Sequence, residues 1–161
     1  MIYLVGAFLI LVTLSLSLAA STPSVPKIIS REEIDERIAY HASLCGLEPA
    51  LVKAIAKVES NFNPRAKNPA DPSYGLMQIT PILAQDYGLV KDYRDVSALE
   101  IEKIYDINNN LSVGCQFLKK LSKYPFEQMI QSYNVGEWGF KIGRRNPDYL
   151  NKVRIAYGKF T

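Results

Sequence analysis

The sequence predicts a single compact domain, mainly α-helical, with one small irregular or β-like segment near residues 61–80. Apolar residues make up 48% and charged residues 22% of the 161 positions, which is typical of an ordinary globular protein. Apolar residues recur at helical spacing after capping residues or prolines, and no long strand alternation is present. Prolines 64, 69 and 72 interrupt this helical pattern, so the stretch from Asn61 to Ser73 is predicted to be a loop.

The first helix is predicted over residues 31–44. Ser30 and Glu33 have the spacing of a capping box, and Cys45-Gly46 is typical of a helix end. The side of this helix that faces the core is predicted to hold Ile34, Ile38 and Leu44. His41 is predicted to lie on the helix surface.

The second helix is predicted to begin at Pro49, in its first turn, and to end near Glu59. Its apolar residues place Glu59 alongside apolar neighbours. A short apolar piece, extended or turn-like, follows the loop over 75–79. Capping residues and prolines then predict further helices over 81–87, 98–105, 108–122, 125–134, 137–144 and 148–157.

The N-terminal region differs from the rest of the chain. Residues 1–26 carry no charged side chain, and residues 2–20 are almost wholly apolar. Small residues at the end of this run favour a cleaved signal peptide, while its length also allows an uncleaved membrane anchor or a buried helix. We therefore expect a signal peptide or anchor at 1–20, a linker at 21–29 and the folded domain at 30–161. Export to the periplasm or cell envelope is expected, with any membrane contact made through residues 2–20.

Charge and reactive side chains exclude several classes of function. The net charge is only +3, and although residues 141–161 are basic, no recognised nucleic-acid motif accompanies them, so nucleic-acid binding is not expected. His41 is the only histidine, which excludes a Ser-His-Asp or Cys-His centre. No metal-ligand spacing is present, so neither a metal nor another cofactor is expected. Cys45 and Cys115 are compatible with a disulfide in an oxidising compartment and also with two core thiols.

Glu59 is the strongest candidate for a catalytic group. A carboxylate near the C-terminal end of a helix is disfavoured by the helix dipole, so stability alone does not explain an acid there. Apolar neighbours and the dipole together are expected to raise its pKa, as a general acid working near neutral pH requires.

Three motifs follow one another in the sequence: ESNFNP at 59–64, GLMQ at 75–78 and SYNVG at 132–136. Asp106, Asn110, Leu111 and Gly114 form a fourth pattern, and Tyr149, Val153 and Tyr157 a fifth. In this order and at this spacing, from about Gly46 to Tyr157, the chain resembles the catalytic domain of the soluble lytic transglycosylases, in the lysozyme-like superfamily. The resemblance implies an α+β lysozyme-like fold that is predominantly helical.

The resemblance also implies an activity, the cleavage of the β-1,4 bond between N-acetylmuramic acid (MurNAc) and N-acetylglucosamine (GlcNAc) in peptidoglycan. Glu59 would serve as the single general acid and base, and the product would carry a 1,6-anhydromuramic acid end. Two alternatives stay open. A muramidase would hydrolyse the same bond, for which Asp71 in the loop could position a water, although its Ala-Asp-Pro-Ser setting is typical of a turn. A non-catalytic peptidoglycan-binding or assembly protein would keep the groove that binds the glycan strand but would not cleave the strand.

The family motifs also imply residues that bind the sugar. Ser60, Gln78 and Asn134 offer polar groups, Met77 and Tyr133 are expected to line the groove, and the Tyr149 hydroxyl is expected to orient Glu59. Peptidoglycan glycan strands are the expected ligand. Secretion, conjugation or phage machinery are possible partners of such an enzyme.

Overall fold

A computed structural model describes residues 29–161, and this part of the chain folds into eight helices and one short hairpin. This secondary structure confirms the predicted mainly α fold class with a small β segment between residues 61 and 80. The helices are α1 Arg31–Cys45, α2 Pro49–Ser60, α3 Pro81–Asp86, α4 Ala98–Tyr105, α5 Ile107–Leu121, α6 Phe126–Val135, α7 Glu137–Lys141 and α8 Pro147–Tyr157, and the antiparallel strands are β1 Lys67–Asn68 and β2 Ser73–Tyr74.

Local capping explains where the helices begin and end. The Ser30 hydroxyl accepts a hydrogen bond from the Glu33 amide at 3.1 Å, as the capping pattern predicts. Ser97 and Glu100 form a complete capping box at the start of α4. Gly46 ends α1 in the left-handed conformation, which glycine adopts without steric cost.

Helix α5 lies at the centre of the core. Four apolar residues that recur along one side of this helix are completely buried: Leu111, Cys115, Leu118 and Leu121. The helix packs against α1, α4 and α6, while α2 packs against α1 and α8. The C-terminal end of α2, which carries Glu59, is therefore held by α8 on one side and by the core on the other.

The predicted orientation of α1 was wrong at two positions. His41 is buried, with its Nε2 atom 3.4 Å from the Asn108 Oδ1 atom of α5, whereas Leu44 is 64% exposed. Ile34, Ile38 and His41 are spaced as i, i+4 and i+7, so the histidine falls on the face that packs against α5. Leu44, three residues further on, lies outside this contact.

The cysteine pair is present as two free thiols, one on α1 and one on α5, and burial raises the pKa of both. None of the helices within residues 29–161 combines the length and the apolarity needed to cross a membrane. The expected signal peptide or anchor at 1–20 and most of the linker at 21–29 lie outside the described residues.

Candidate active site

Glu59 occupies the last turn of α2, where the chain leaves the helix through an unusually tight bend. Asn61 and Phe62 both have positive φ angles, 52° and 63°, in the left-handed region. Asparagine tolerates this conformation better than most residues, and the Asn61 amide caps α2 by donating to the carbonyls of Ala56 and Lys57. This backbone arrangement leaves the Glu59 side chain half-buried.

The surroundings of Glu59 change its acidity in the predicted direction. Loss of hydration in the protein interior raises the pKa of its carboxyl from 4.5 to about 7. A hydrogen bond from Tyr149 opposes this effect and lowers the pKa to a smaller extent. The carboxyl can therefore be protonated near neutral pH, which is the state that a general acid needs.

Two buried tyrosines lie beside Glu59. The Tyr149 hydroxyl, carried by α8, donates a hydrogen bond to the Glu59 Oε1 atom at 2.6 Å. The Tyr133 hydroxyl, carried by α6, donates to the Met77 carbonyl at 2.9 Å. The pKa of each tyrosine lies well above its ordinary value, because burial and the Glu59 carboxylate both disfavour a phenolate. Both hydroxyls therefore stay protonated as donors.

The segment 75–78 is fastened to the core by Asn110 of α5. The Asn110 Oδ1 atom accepts from the Met77 amide at 2.7 Å, and its Nδ2 atom donates to the Tyr74 carbonyl at 2.8 Å and to the Ile104 carbonyl at 2.9 Å. Gly75, with a φ angle of +79°, lies against this amide, and a Cβ atom there would come within 2.3 Å of Asn110 Nδ2. Glycine is required at this position by both the conformation and the space.

Ser60 and Gln78 direct their polar atoms into the protein. The Ser60 hydroxyl lies 2.9 Å from the Leu76 carbonyl and 3.0 Å from the Ala56 carbonyl, so it ties α2 to segment 75–78. The Gln78 Nε2 atom donates to the Gly75 carbonyl at 2.9 Å, and its Oε1 atom accepts from the Ser73 hydroxyl at 2.8 Å. These bonds stabilise segment 75–78 and its contact with the end of α2 beside Glu59.

Asn134 differs from the other motif residues because it is exposed, at the end of α6. Its Oδ1 atom accepts a hydrogen bond from Asn146 Nδ2 at 2.9 Å. Asn146 is also the N-cap of α8, since its Oδ1 atom accepts from the Tyr149 amide at 3.0 Å. One asparagine thus connects Asn134 with the helix that presents Tyr149 to Glu59.

The structure brings five of the predicted site residues to one place: Glu59 and Ser60 at the end of α2, Met77 and Tyr133 behind them, and Tyr149 against the carboxyl. Met77 is completely buried and Tyr133 is nearly so. Gln78 fastens the loop beside them, and Asn134 is joined to them through Asn146. Direct contact of any of these residues with a sugar stays a prediction.

Asp71, the residue on which the muramidase alternative depends, lies apart from this arrangement. It is exposed, in the turn that joins β1 to β2.

Sequence reasoning attached no role to Asn110 or Asn146. Asn146-Pro147 has the residue types of an N-cap followed by the first helical position, and this signal could have marked it as a cap. Nothing in the local sequence indicates that Asn110 bonds three backbone groups, because two of its partners lie more than 30 residues away.

The model of the transglycosylase SLT domain family matches residues 37–149. The chain belongs to this family. The matched range contains every predicted site residue and extends from within α1 to the start of α8, so it takes in most of the folded unit described above.

The chain is also similar to a curated relative and to a solved structure. A peptidoglycan-binding-like protein of Escherichia coli O157:H7 is 29% identical over 127 residues, which cover 69% of this chain and 70% of the relative. The structure of the lytic transglycosylase Slt of Pseudomonas aeruginosa, an inactive mutant with glutamine in place of a glutamate, superimposes with a TM-score of 0.51 at 17% identity. The match covers 78% of this chain and about a fifth (21%) of the Slt chain, and it shows that the two share the fold.

Proposed function

We propose that this protein is a peptidoglycan lytic transglycosylase that cleaves the MurNAc-β-1,4-GlcNAc bond and forms a 1,6-anhydromuramic acid end. The observation that carries the proposal is the state of Glu59, a half-buried carboxyl with its pKa raised to about 7 and held by the Tyr149 hydroxyl at 2.6 Å. Family membership supports the substrate class. The E. coli relative is described as peptidoglycan-binding-like. The structural neighbour is a lytic transglycosylase, and its structure is that of an inactive mutant in which a glutamine replaces a glutamate.

The proposed reaction uses Glu59 twice. The protonated carboxyl donates its proton to the glycosidic oxygen while the bond from that oxygen to C1 of MurNAc breaks. The resulting carboxylate then accepts the proton of the MurNAc C6 hydroxyl, whose oxygen forms a new bond to C1. The nucleophile belongs to the substrate, so this scheme needs only one enzymatic carboxyl group, whereas most glycosidases use two. The net change is an intramolecular transfer, and Glu59 ends in its starting protonation state.

Each neighbour of Glu59 has a proposed part in this reaction. Tyr149 orients the carboxyl and moderates its pKa, and Asn134 offers an exposed amide to the sugar. Ser60, Met77, Gln78 and Tyr133 are proposed to keep the binding surface in shape through the internal contacts described above.

Digestion of purified peptidoglycan by the full-length protein tests the proposal, with the soluble products analysed by mass spectrometry. Muropeptides that end in 1,6-anhydromuramic acid are expected from the wild-type protein and not from the Glu59→Gln variant. Products with an added water at a reducing end would instead indicate a muramidase, and Asp71→Asn would then be the variant to test.

A second candidate is a non-catalytic peptidoglycan-binding protein, which the description of the E. coli relative favours. Binding to insoluble peptidoglycan without soluble products, in both the wild-type protein and Glu59→Gln, would support this candidate. Cleavage by the wild-type protein alone would exclude it.

The setting of the reaction is also a proposal. We infer that residues 1–20 export the protein to the periplasm or cell envelope as a signal peptide or an anchor, that 21–29 is a linker, and that 30–161 is the catalytic unit. Fractionation of producing cells, with the mass of the mature protein, tests this proposal. A secretion, conjugation or phage apparatus is the kind of partner that would need such local opening of the wall.

A further inference from the structure

Asn134 and Asn146 form a side-chain pair whose orientation is determined by the backbone. The Asn146 Oδ1 atom accepts from the backbone amide of Tyr149 at 3.0 Å, and a backbone N–H can only donate. The Asn146 Nδ2 group must therefore point away from α8, toward Asn134. An amide N–H₂ group can only donate, so the Asn134 atom that faces it, at 2.9 Å, must be the carbonyl oxygen.

A consequence follows for the exposed end of the Asn134 side chain. Because the Oδ1 atom faces Asn146, the Nδ2 group lies on the side of the amide that points away from Asn146 and is available to a ligand. Asn134 is exposed, and within residues 29–161 its Nδ2 group has no hydrogen-bond partner. The side chain therefore offers two N–H donors on the side that faces away from Asn146.

Asn146 is itself held firmly. Its backbone N–H donates to the Gln131 Oε1 atom at 2.7 Å, and the Gln131 side chain is buried in α6. Pro147 follows as the first residue of α8 and restricts the backbone at this point. The end of α6 and the start of α8, which carries Tyr149 against Glu59, are thus joined by two hydrogen bonds of one residue.

We propose that Asn146 is a positioning residue that fixes the Asn134 amide with its N–H₂ group toward the ligand, so that Asn134 selects a carbonyl oxygen such as that of an N-acetyl group. The proposal rests on the proposed function, because it presumes a glycan ligand rich in N-acetyl groups. The orientation of the Asn134 amide on α6 is thus set by the N-cap residue of α8, and α8 is also the helix whose Tyr149 orients Glu59.

Two substitutions separate this positioning role from simple helix capping. Aspartate and serine are both good N-cap residues, so Asn146→Asp and Asn146→Ser should keep α8 and change the melting temperature little. In Asn146→Asp a carboxylate oxygen faces Asn134, so the Asn134 amide is expected to rotate by half a turn, donate to the carboxylate and present its oxygen to the ligand. In Asn146→Ser the contact is lost and the amide is free to adopt either orientation.

The binding of N-acetylchitotetraose to the full-length protein, measured by calorimetry in a Glu59→Gln background, is the test. This probe is uncharged, so the new carboxylate at position 146 exerts no direct charge effect on it, and the background prevents cleavage. We expect Asn146→Asp to weaken binding about tenfold, because the Asn134 oxygen would then face a ligand carbonyl oxygen and one hydrogen bond would be replaced by two acceptors facing each other. Asn146→Ser should weaken binding less.

A double-mutant cycle with Asn134→Ala shows whether Asn146 acts through Asn134. Once the Asn134 amide is gone, Asn146→Asp should change the affinity by less than about twofold, which is the non-additivity expected of coupled neighbours. Equal losses in both backgrounds, or an unchanged affinity in Asn146→Asp, would overturn the inference.

Product formation from peptidoglycan is scored separately, with Glu59 intact. Products together with an additive cycle would overturn this inference and leave the proposed function in place. If the correctly folded protein neither forms products nor binds the glycan, both this inference and the proposed function are overturned.

Discussion

Replacing Glu59 with glutamine should stabilise the protein at alkaline pH and do so progressively less as the pH falls. The pKa of Glu59 is raised from 4.5 to about 7 in the folded protein, so the folded state holds this proton more tightly than the unfolded state does. A group of this kind supports folding fully below pH 4.5, and its contribution is lost as the pH rises through about 7. Glutamine has no such proton to lose.

The size of the effect follows from the pKa difference. At about 1.4 kcal/mol per pKa unit, a rise from 4.5 to about 7 corresponds to about 3 kcal/mol. The free energy of unfolding of Glu59→Gln minus that of the wild type should therefore be about 3 kcal/mol larger at pH 8.5 than at pH 4. In melting temperature this is a change of roughly 6–12 °C in the difference between the two proteins.

Urea denaturation of both proteins at a series of pH values measures this difference. All other titrating groups are common to the two chains, so they cancel in the comparison. Glu137→Gln is a control of opposite sign, because Lys123 and Tyr124 lower the pKa of Glu137 to about 2. That variant should be destabilised at neutral pH, with a difference that shrinks toward pH 2. A wild-type-to-Glu59→Gln difference that stays flat from pH 4 to 8.5 would refute the claim that the fold holds Glu59 protonated.

Three further predictions follow from single contacts. Ser132→Ala should stabilise the fold by about 1 kcal/mol in urea denaturation, because the Ser132 hydroxyl is buried and has no hydrogen-bond partner within residues 29–161; a loss of stability would reveal a partner. Gly75→Ala should cost about 2–4 kcal/mol by the same measurement, because alanine is strained at a φ angle of +79° and its Cβ atom would clash with a buried amide; a near-neutral result would show that segment 75–78 can shift. Tyr149→Phe removes a hydrogen bond that lowers the pKa of Glu59, so the alkaline limb of the pH–rate profile should move up by about one pH unit. Tyr124→Phe, which removes a similar bond from a different glutamate at 2.9 Å, should leave that limb in place, and a shift in both variants would contradict the assignment.

The helices were predictable because their ends are encoded locally. Capping residues such as Ser30 and Ser97, and prolines such as Pro49, act within one turn of the residue that begins the helix, and the predicted bounds differ from the observed ones by three residues or fewer. The direction in which a helix faces depends on its partners. The sequence predicts His41 on the helix surface, but the packing of α1 on α5 buries it beside Asn108.

The acid of the candidate site was also predictable, because an acid among apolar residues near a helix end is unfavourable for stability and therefore informative. Its supporting contacts were not predictable. Asn110 reaches carbonyl and amide groups of residues 74 and 77, and Tyr149 reaches a carboxyl 90 positions away. These pairings depend on how α5 and α8 pack, and no local pattern encodes that packing.

The polar side chains of the site divide by what they bond to, and this division bears on how the site works. Ser60, Gln78 and Asn110 direct most of their hydrogen bonds to backbone carbonyl and amide groups, and each of them bonds to segment 73–79, so they hold the surface behind Glu59 in place before any ligand arrives. Asn134 is held by a single side-chain bond and is exposed. A rigid frame keeps the carboxyl dehydrated and oriented, which is the source of its raised pKa and of its cost to stability at high pH. Because the frame is complete without a ligand, substitutions in it should alter stability together with rate, whereas a change at Asn134 should alter affinity with little effect on the fold.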